Sequence, residues 1–307
     1  MSKLVFPQRR PGSRKGENGR VLIVGGSREY VGALALAGTA ALRSGCDIVT
    51  IAAPEKVAWA INALSPDLIT AKLPGEFLDD AHYPEIARLA KKADVILFGN
   101  GAGLRQGTRR LLRRLARLPA RKVIDADGIK AVRARGLKDT ILTPHRKELE
   151  IFLSNSKLRV TTDVERLKAL LRDYLKNDGL ILLKGPTDSI VSKHGVDSIA
   201  GGNAGLTRGG TGDVLAGLVA GLWAQGLSAR QAAISASILN KRIGDALKKR
   251  HRGYSYLASD MVREIRRLRA TRPPRQASSL PCRGLVCGPP RAARTGRVRC
   301  QAGRAVP

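Results

Sequence analysis

The segment Asn203–Asp213, NAGLTRGGTGD, runs directly into the apolar stretch Val214–Ala224. Gly209, Gly210 and Gly212 permit backbone conformations that other residues resist. A helix beginning near Thr211 turns its unpaired amides and the positive end of its dipole toward that turn, a combination that holds phosphate. Asp213 falls in the first helical turn, where its carboxylate faces the same space. A carboxylate beside an anion hole is repulsive without purpose, and a general base that takes a proton from an attacking hydroxyl supplies one. A glycine-rich loop whose aspartate is merely favoured by the helix dipole is the other reading of the same residues. No GxxxxGK[ST] phosphate loop is present, and Gly25-Gly26-Ser27 does not complete a GxGxxG dinucleotide fingerprint.

Four further segments join the candidates, each with two readings. Lys184-Gly185 follows an apolar strand, where a lysine reaches a nucleotide phosphate or sits solvated in a turn. Gly99-Asn100-Gly101-Ala102-Gly103 lets backbone approach a ligand, or forms a simple tight turn. Pro144-His145 presents an imidazole to a ligand or to water. Asp125 and Asp127 could hold magnesium through water, although capping of a helix by Asp127 accounts for it equally well.

These residues need elements to position them. Arg20–Val24, Cys46–Ala52, Ala93–Phe98, Lys122–Ile124, Thr140–Leu142 and Gly179–Leu183 read as strands. Ser189–Ser192 and Val196–Ala200 flank Lys193-His194-Gly195 as a hairpin. Val31–Ser44, Glu55–Leu64, Thr211–Gln225, Ser228–Lys249 and Ala258–Arg269 read as helices. Continuous apolar strands alternating with helices predict an α/β fold, a mostly parallel sheet covered on both faces. Four of the strands end in polar or glycine-rich turns, and open α/β sheets bind ligands at the carboxyl ends of their strands.

The chain has 307 residues, with 55 Lys+Arg against 25 Asp+Glu, a net charge of +30. Such a charge raises nucleic acid or an acidic small molecule as partner. Arg105–Lys122 places Leu111, Leu112, Leu115 and Leu118 on one helical face and arginines on the other. This is a solvated outer helix or a stripe that tracks phosphates. Four phenylalanines, two tryptophans and five tyrosines offer few stacking platforms for single strands, so nucleic acid is the weaker reading. High lysine and arginine content also supports surface ion pairs at high temperature. No apolar run reaches membrane-spanning length, and the first 16 residues lack the apolar core of a secretory signal, so a cytoplasmic protein is expected. Residues 271–307 carry eight arginines, no lysine and no acid, which leaves +22 on the first 270 residues. This proline-containing tail lacks helix or strand periodicity and reads as disordered. Its Cys282, Cys287 and Cys300, without a histidine beyond them, make a poor zinc site. One domain over residues 1–270 with a basic appendage is the expectation.

Taken together, the motifs resemble the ADP/ATP-dependent NAD(P)H-hydrate dehydratase family of the ribokinase-like superfamily. The resemblance runs from about Lys15 to Leu268. It rests on KGENGRVLIVGGSREYVGALALAGTAALRSGCDIVTIAAPE at 15–55, FGNGAG at 98–103, IDADG at 124–128, LTPHRKELEIF at 142–152, LLKGPTD at 182–188 and NAGLTRGGTGDVLAGLVAGLWAQG at 203–226. The stretch RGYSYLASDMVREI at 252–265 looks most like archaeal members. The resemblance implies a ribokinase-like three-layer α/β/α fold. It implies that Ala33, Gly101, Gly103, His145 and Asp213 bind hydrated NAD(P)H, with Asp213 catalytic. It assigns Lys184, Gly185, Pro186, Thr187 and Asp188, together with Gly209, Gly210, Thr211 and Gly212, to the adenine nucleotide. ADP or ATP as co-substrate, Mg2+ as cofactor and a homotetramer are implied in the same way. The implied activity is the dehydratase alone, without the epimerase domain fused to some members. Two departures stand out. Members usually read GPG where this chain has Gly99-Asn100-Gly101, and many carry a histidine near Asn240. A small-molecule kinase acting on a vitamin precursor is the alternative within the superfamily.

Overall fold

A computed structural model describes residues 3–270. The expected tail at 271–307, with its three cysteines, lies outside the described residues. Nine strands form one sheet: β1 (Arg20–Val24), β2 (Ile48–Pro54), β3 (Ile69–Leu73), β4 (Val95–Phe98), β5 (Lys122–Ile124), β6 (Thr140–Leu142), β7 (Gly179–Leu183), β8 (Asp188–Ser192) and β9 (Gly195–Ile199). Their order is β3-β2-β1-β4-β5-β6-β7-β8-β9. The first seven run parallel, while the β7–β8 and β8–β9 pairs are antiparallel, as the hairpin signal predicted.

Strand side chains alternate between two cores, as the period of two demands. Val21, Ile23, Val95, Leu97, Val123 and Ile141 point to one face. There they meet the helices α1 (Gly32–Ser44), α2 (Glu55–Leu64), α9 (Thr211–Ala224), α10 (Ala229–His251) and α11 (Ala258–Ala270). Leu22, Val24, Ile96, Phe98, Ile124 and Leu142 point to the other. That face is covered by α3 (Tyr83–Ala90), α4 (Gln106–Leu115), α5 (Asp127–Ala131), α6 (Arg146–Asn155), α7 (Val164–Leu170) and α8 (Arg172–Lys176). The result is a three-layer α/β/α architecture.

Differences from expectation have physical causes. The strand expected over Cys46–Ala52 is shifted to Ile48–Pro54, because its ladder with β3 continues through Pro54 opposite Leu73. β3 itself escaped sequence reading because it is the sheet edge, half wet, with Ile69 and Lys72 exposed and only Leu73 buried. In α4 the Leu111, Leu112 and Leu115 side chains are buried, while Arg110, Arg113 and Arg114 face solvent. Among the described residues no helix is long and apolar enough to cross a membrane.

Two features of this fold position the site. The chain leaves β1 for β2 and β3 on one side and returns to β4 on the other, so the order reverses between β1 and β4. A crevice opens at such a switch point, at the carboxyl ends of the strands. The second feature is the packing of α9 on α1. A Cβ at Gly217 would strike the backbone carbonyl of Ala37, and one at Gly221 would lie 2.7 Å from the carbonyl of Ala41. The two glycines that interrupt the apolar run therefore let the helices touch backbone to backbone, which fixes where α9 begins.

Candidate active site

Gly210 caps α9 with φ +88°, in the left-handed region where glycine is favoured. A Cβ there would also lie 2.7 Å from Leu36 and 2.9 Å from Ala258. The amides of the first helical turn, Gly212 and Asp213 among them, have no acceptor within the helix. Asp213 sits in this turn and is half-buried. Its Oδ1 accepts a 2.6 Å hydrogen bond from Asn100 Nδ2.

Asn100 is the hinge of the site. Its Nδ2 also donates to Asp125 Oδ2 at 2.9 Å, and its backbone carbonyl accepts from Gly26 N at 2.9 Å, tying the turns after β1 and β4 together across the switch point. Asp125, at the end of β5, is buried and further accepts from Thr143 Oγ1 at 2.7 Å and Lys184 Nζ at 3.1 Å. Glu148, buried in the first turn of α6, lies 3.7 Å from the same ammonium. Its carboxylate accepts from the His145 backbone amide at 2.9 Å, while His145 Nδ1 caps α6 by accepting from Glu148 N at 3.3 Å. Lys184 N in turn donates to Pro144 O at 2.8 Å, so the ends of β6 and β7 stay in register beyond their strands.

Three carboxylates thus surround one ammonium. Burial pushes the Asp213 carboxyl up to about 7, helped by the charges of Asp125 and Glu148 and opposed by the Asn100 hydrogen bond and Lys184. Burial works against the Lys184 ammonium, but Asp125, Glu148 and Asp213 overcome it and hold its pKa above the usual lysine value. A carboxyl near 7 is poised to exchange a proton at neutral pH.

Beside this cluster lies a cavity of about 640 Å³ lined by His145, Lys184, Gly185, Pro186, Asp188, Thr211, Gly212, Leu215, Asn240, Lys241 and the 201–208 loop. Of the residues expected to meet a nucleotide, Lys184, Gly185, Pro186, Asp188, Thr211 and Gly212 line it. Thr187 is exposed and Gly209 and Gly210 shape the turn behind it. A Cβ on Gly212 would sit 3.5 Å from Lys184 Nζ, so the helix start and the lysine face each other. On the other side of Asn100, Gly101 (φ +59°) lies under Tyr30 and Ala33 occupies the first turn of α1. Gly103 N donates to Asp127 Oδ2 at 2.9 Å. Asp127 therefore orients the glycine turn and pairs with Lys130 at 2.9 Å; its carboxylate caps no helix.

A family model described as NAD(P)H-hydrate dehydratase matches residues 21–267. The chain belongs to this family. The bifunctional NAD(P)H-hydrate repair enzyme of Methanothermobacter thermautotrophicus is 42% identical over 266 residues, covering 84% of this chain and 51% of that protein. The ADP-dependent (S)-NAD(P)H-hydrate dehydratase of Cenarchaeum symbiosum is 34% identical over 261 residues, covering 83% of this chain and 90% of that one. The chain thus spans about half the length of the bifunctional relatives it matches and nearly all of the single-activity one. Among solved structures, the ADP/ATP-dependent NAD(P)H-hydrate dehydratase of Bacillus subtilis, co-crystallized with ATP and Mg2+, superposes with a TM-score of 0.68. The identity is 23%, covering 86% of this chain and 94% of that one. At that identity the likeness establishes the shared fold.

Within this dehydratase-family chain, sequence reasoning missed three parts of the cluster. Asn100 stood only within the Gly99–Gly103 turn and as a departure from GPG, and Thr143 and Glu148 only as parts of the motif at 142–152. The spacing of His145 and Glu148 is that of a capping box, with histidine in place of serine or threonine, and was the available signal. Lys241 was also missed: it is buried, and its ammonium clamps the carbonyls of Gly185 (3.1 Å), Pro186 (3.0 Å) and Gly201 (3.2 Å).

Proposed function

We propose that the chain dehydrates the S-form of hydrated NADH or NADPH, driven by cleavage of ADP or ATP. The observation that carries this reading is the placement of the Asp213 carboxyl at the start of α9, 2.6 Å from Asn100 Nδ2 and between the glycine-rich turn before the helix and the glycine turn after β4, where burial raises its pKa. The nucleotide occupies the cavity beside Lys184, its terminal phosphoryl group against the Gly212 and Asp213 amides. The hydrated nicotinamide ring lies toward Ala33, Gly101, Gly103 and His145.

In this arrangement Asp213 takes the proton of the substrate hydroxyl as that oxygen attacks the terminal phosphorus, and the nucleotide leaves as AMP or ADP. Lys184 and the helix amides hold the transferring group and its growing charge. The ring nitrogen's lone pair then expels phosphate, and loss of a neighbouring proton restores the dihydronicotinamide ring. Asn100 keeps the Asp213 carboxylate aimed at the hydroxyl. Asp125, itself fixed by Asn100, Thr143 and Lys184, keeps the lysine in place.

Mg2+ suits this site, since three carboxylates against one ammonium leave an excess of negative charge before any phosphate binds. Among the described residues no group of three or more His, Cys, Asp or Glu is gathered to hold a metal alone. The ion would therefore be carried on the nucleotide phosphates with water and one or two of these carboxylates, neutralising phosphate charge.

The test is absorbance at 340 nm with chemically hydrated NADH, magnesium, and ADP or ATP in parallel. A nucleotide-dependent rise supports the dehydratase, and the faster reaction identifies the phosphoryl donor. A folded protein that gives no rise with either nucleotide refutes it. A homotetramer, a cytoplasmic setting and a one-domain body ending near residue 270 complete the proposal. Sedimentation equilibrium tests the assembly, and fractionation of the source cells tests the setting.

A further inference from the structure

Three polar residues recur on α10 at helical spacing: Ser237, Lys241 and Asp245. Residues four apart share one face of a helix. Each of the three holds a loop that walls the cavity beside Lys184. Ser237 Oγ donates to Asp188 Oδ2 at 2.6 Å, at the end of the 184–188 turn. Asp245 accepts from Gly202 N at 3.0 Å and from Asn203 Nδ2 at 3.2 Å. Lys241, between them, reaches both loops. Its Nζ donates to the carbonyls of Gly185 (3.1 Å) and Pro186 (3.0 Å) in the turn and of Gly201 (3.2 Å) in the loop. The β8–β9 ladder ends with Asp188 opposite Ile199, and Lys241 carries the connection beyond it.

An ammonium group has three hydrogens to give and no acceptor, so three carbonyls saturate it. Asp188 Oδ1 lies 3.3 Å from the same nitrogen and supplies the counter-charge. Lys241 and Asp188 are both buried, and both line the cavity. Carbonyl oxygens gathered around one positive charge are the donors that replace the water shell of a potassium ion. Nothing in this oxygen set requires the charge to be tethered to the chain. The loop is bent to serve it. Gly201 and Gly202 have φ +108° and +76°, where glycine is favoured, and a Cβ on Gly202 would lie 3.2 Å from Lys241 Cγ.

We propose that the carbonyls of Gly185, Pro186 and Gly201, with the Asp188 carboxylate, form a monovalent-cation site filled from within by the Lys241 ammonium, and that its occupancy fixes the two loops walling the nucleotide cavity. Lys241 is thus a positioning residue whose effect on the nucleotide passes through the loops. The effect on nucleotide affinity rests on the proposal that this cavity holds the nucleotide, whereas the cation site itself does not. Emptied of its ammonium, the cage leaves Asp188 as an uncompensated buried charge. It should then accept a free ammonium or potassium ion, which reaches it through the cavity. Loops correctly set only a tenth of the time would bind ADP about tenfold more weakly.

The test compares the full chain with Lys241→Ala in ammonium, potassium and tetramethylammonium chloride at matched ionic strength. Tetramethylammonium is too large for the cage and has no hydrogen to donate. Lys241→Ala is expected to melt below the wild type in tetramethylammonium and to gain at least about 2 °C, saturably, in ammonium or potassium. The wild type should melt alike in all three salts. In calorimetric titrations the alanine variant should bind ADP about tenfold more weakly than the wild type in tetramethylammonium and recover in ammonium. Lys241→Met, which refills the space without charge, should show the same loss and no recovery in any salt. An alanine variant that melts alike in every salt, or gains no more than the wild type, overturns the cation site. So does one that stays unfolded even when refolded in ammonium chloride. Unaltered ADP affinity in Lys241→Met overturns the positioning role. A wild type that binds no ADP overturns the occupancy of the cavity instead, and the melts alone then decide the cation site.

Discussion

Replacing Asp213 by asparagine separates two consequences of one geometry. Burial and the neighbouring Asp125 and Glu148 carboxylates raise this carboxyl from 3.8 to about 7, against the pull of Asn100 and Lys184. Between those two values the folded chain keeps a proton that the unfolded chain has released. Stability from this group is therefore fully present below 3.8, falls as pH rises, and is lost above about 7, where the native state carries a buried charge. A shift of about three pH units corresponds to about 4 kcal/mol as an upper bound. Relaxation of neighbouring groups and water makes about 2 kcal/mol the working expectation, several degrees in melting temperature for a domain of this size.

Asp213→Asn keeps the shape and an acceptor for Asn100 Nδ2 while removing the charge. The variant should melt higher than the wild type at pH 8–9, and the gap should close as the pH is lowered toward 4–5. Its turnover should fall by roughly 10²–10⁴ with little change in nucleotide affinity, the scale for losing a general base. Wild-type activity should rise with pH through a midpoint near 7 as the carboxyl ionises. Thermal melts across pH, beside the 340 nm assay, read both effects. A stability difference independent of pH refutes the buried charge, and unchanged turnover refutes the base.

Three further outcomes follow from named contacts. Lys184→Met strips the ammonium from between Asp125 and Glu148; it should destabilise the protein by about 3 kcal/mol and weaken ADP binding at least tenfold, and unaltered ADP affinity in a calorimetric titration contradicts the assignment. Gly217→Val forces a side chain into the Ala37 backbone and should destabilise by about 3 kcal/mol, with nucleotide binding lost as α9 shifts; a melt indistinguishable from the wild type would show the two helices are not held at that distance. A chain ending at residue 270 should keep its melting temperature and its 340 nm activity, since the family match ends at 267. That truncated chain should also bind duplex DNA weakly, and micromolar binding with steep salt dependence would reinstate the nucleic-acid reading.

Much of the fold was legible because apolar runs and glycine punctuation are local signals. β1, β5, β6 and β7 and the start of α9 lie at the expected residues. β3 was invisible because an edge strand half in water loses the apolar run. In the site, Asp213 and Lys184 were legible because helix start and strand end are local features. What brings them together was not. Asn100 and Asp213 are 113 positions apart in sequence, and Asp125 and Lys184 are 59 apart, so only the sheet order makes them neighbours. The pKa of Asp213 was equally hidden, because it is set first by burial and then by charges brought from the end of β5 and the start of α6.

The placement of unsatisfied groups ties these observations together. Four buried side-chain atoms among the described residues lack a hydrogen-bond partner: Ser27 Oγ, Asp80 Oδ1, Asn100 Oδ1 and Asn240 Oδ1. Asn100 touches the Asp213 carboxylate, Asn240 lines the adjoining cavity, and Ser27 follows Gly26, whose amide is bonded to Asn100. The described residues satisfy their buried polar groups almost everywhere, and three of the four exceptions lie in or beside the site. Groups that are unfavourable in the empty protein and satisfied by a ligand add their relief to binding. The charge imbalance around Lys184 acts in the same direction, since a phosphate-borne cation relieves it. Neutralising Asp213 should raise the melting temperature of the empty protein at pH 8–9 while impairing its work. The site is built where stability has been given up for binding.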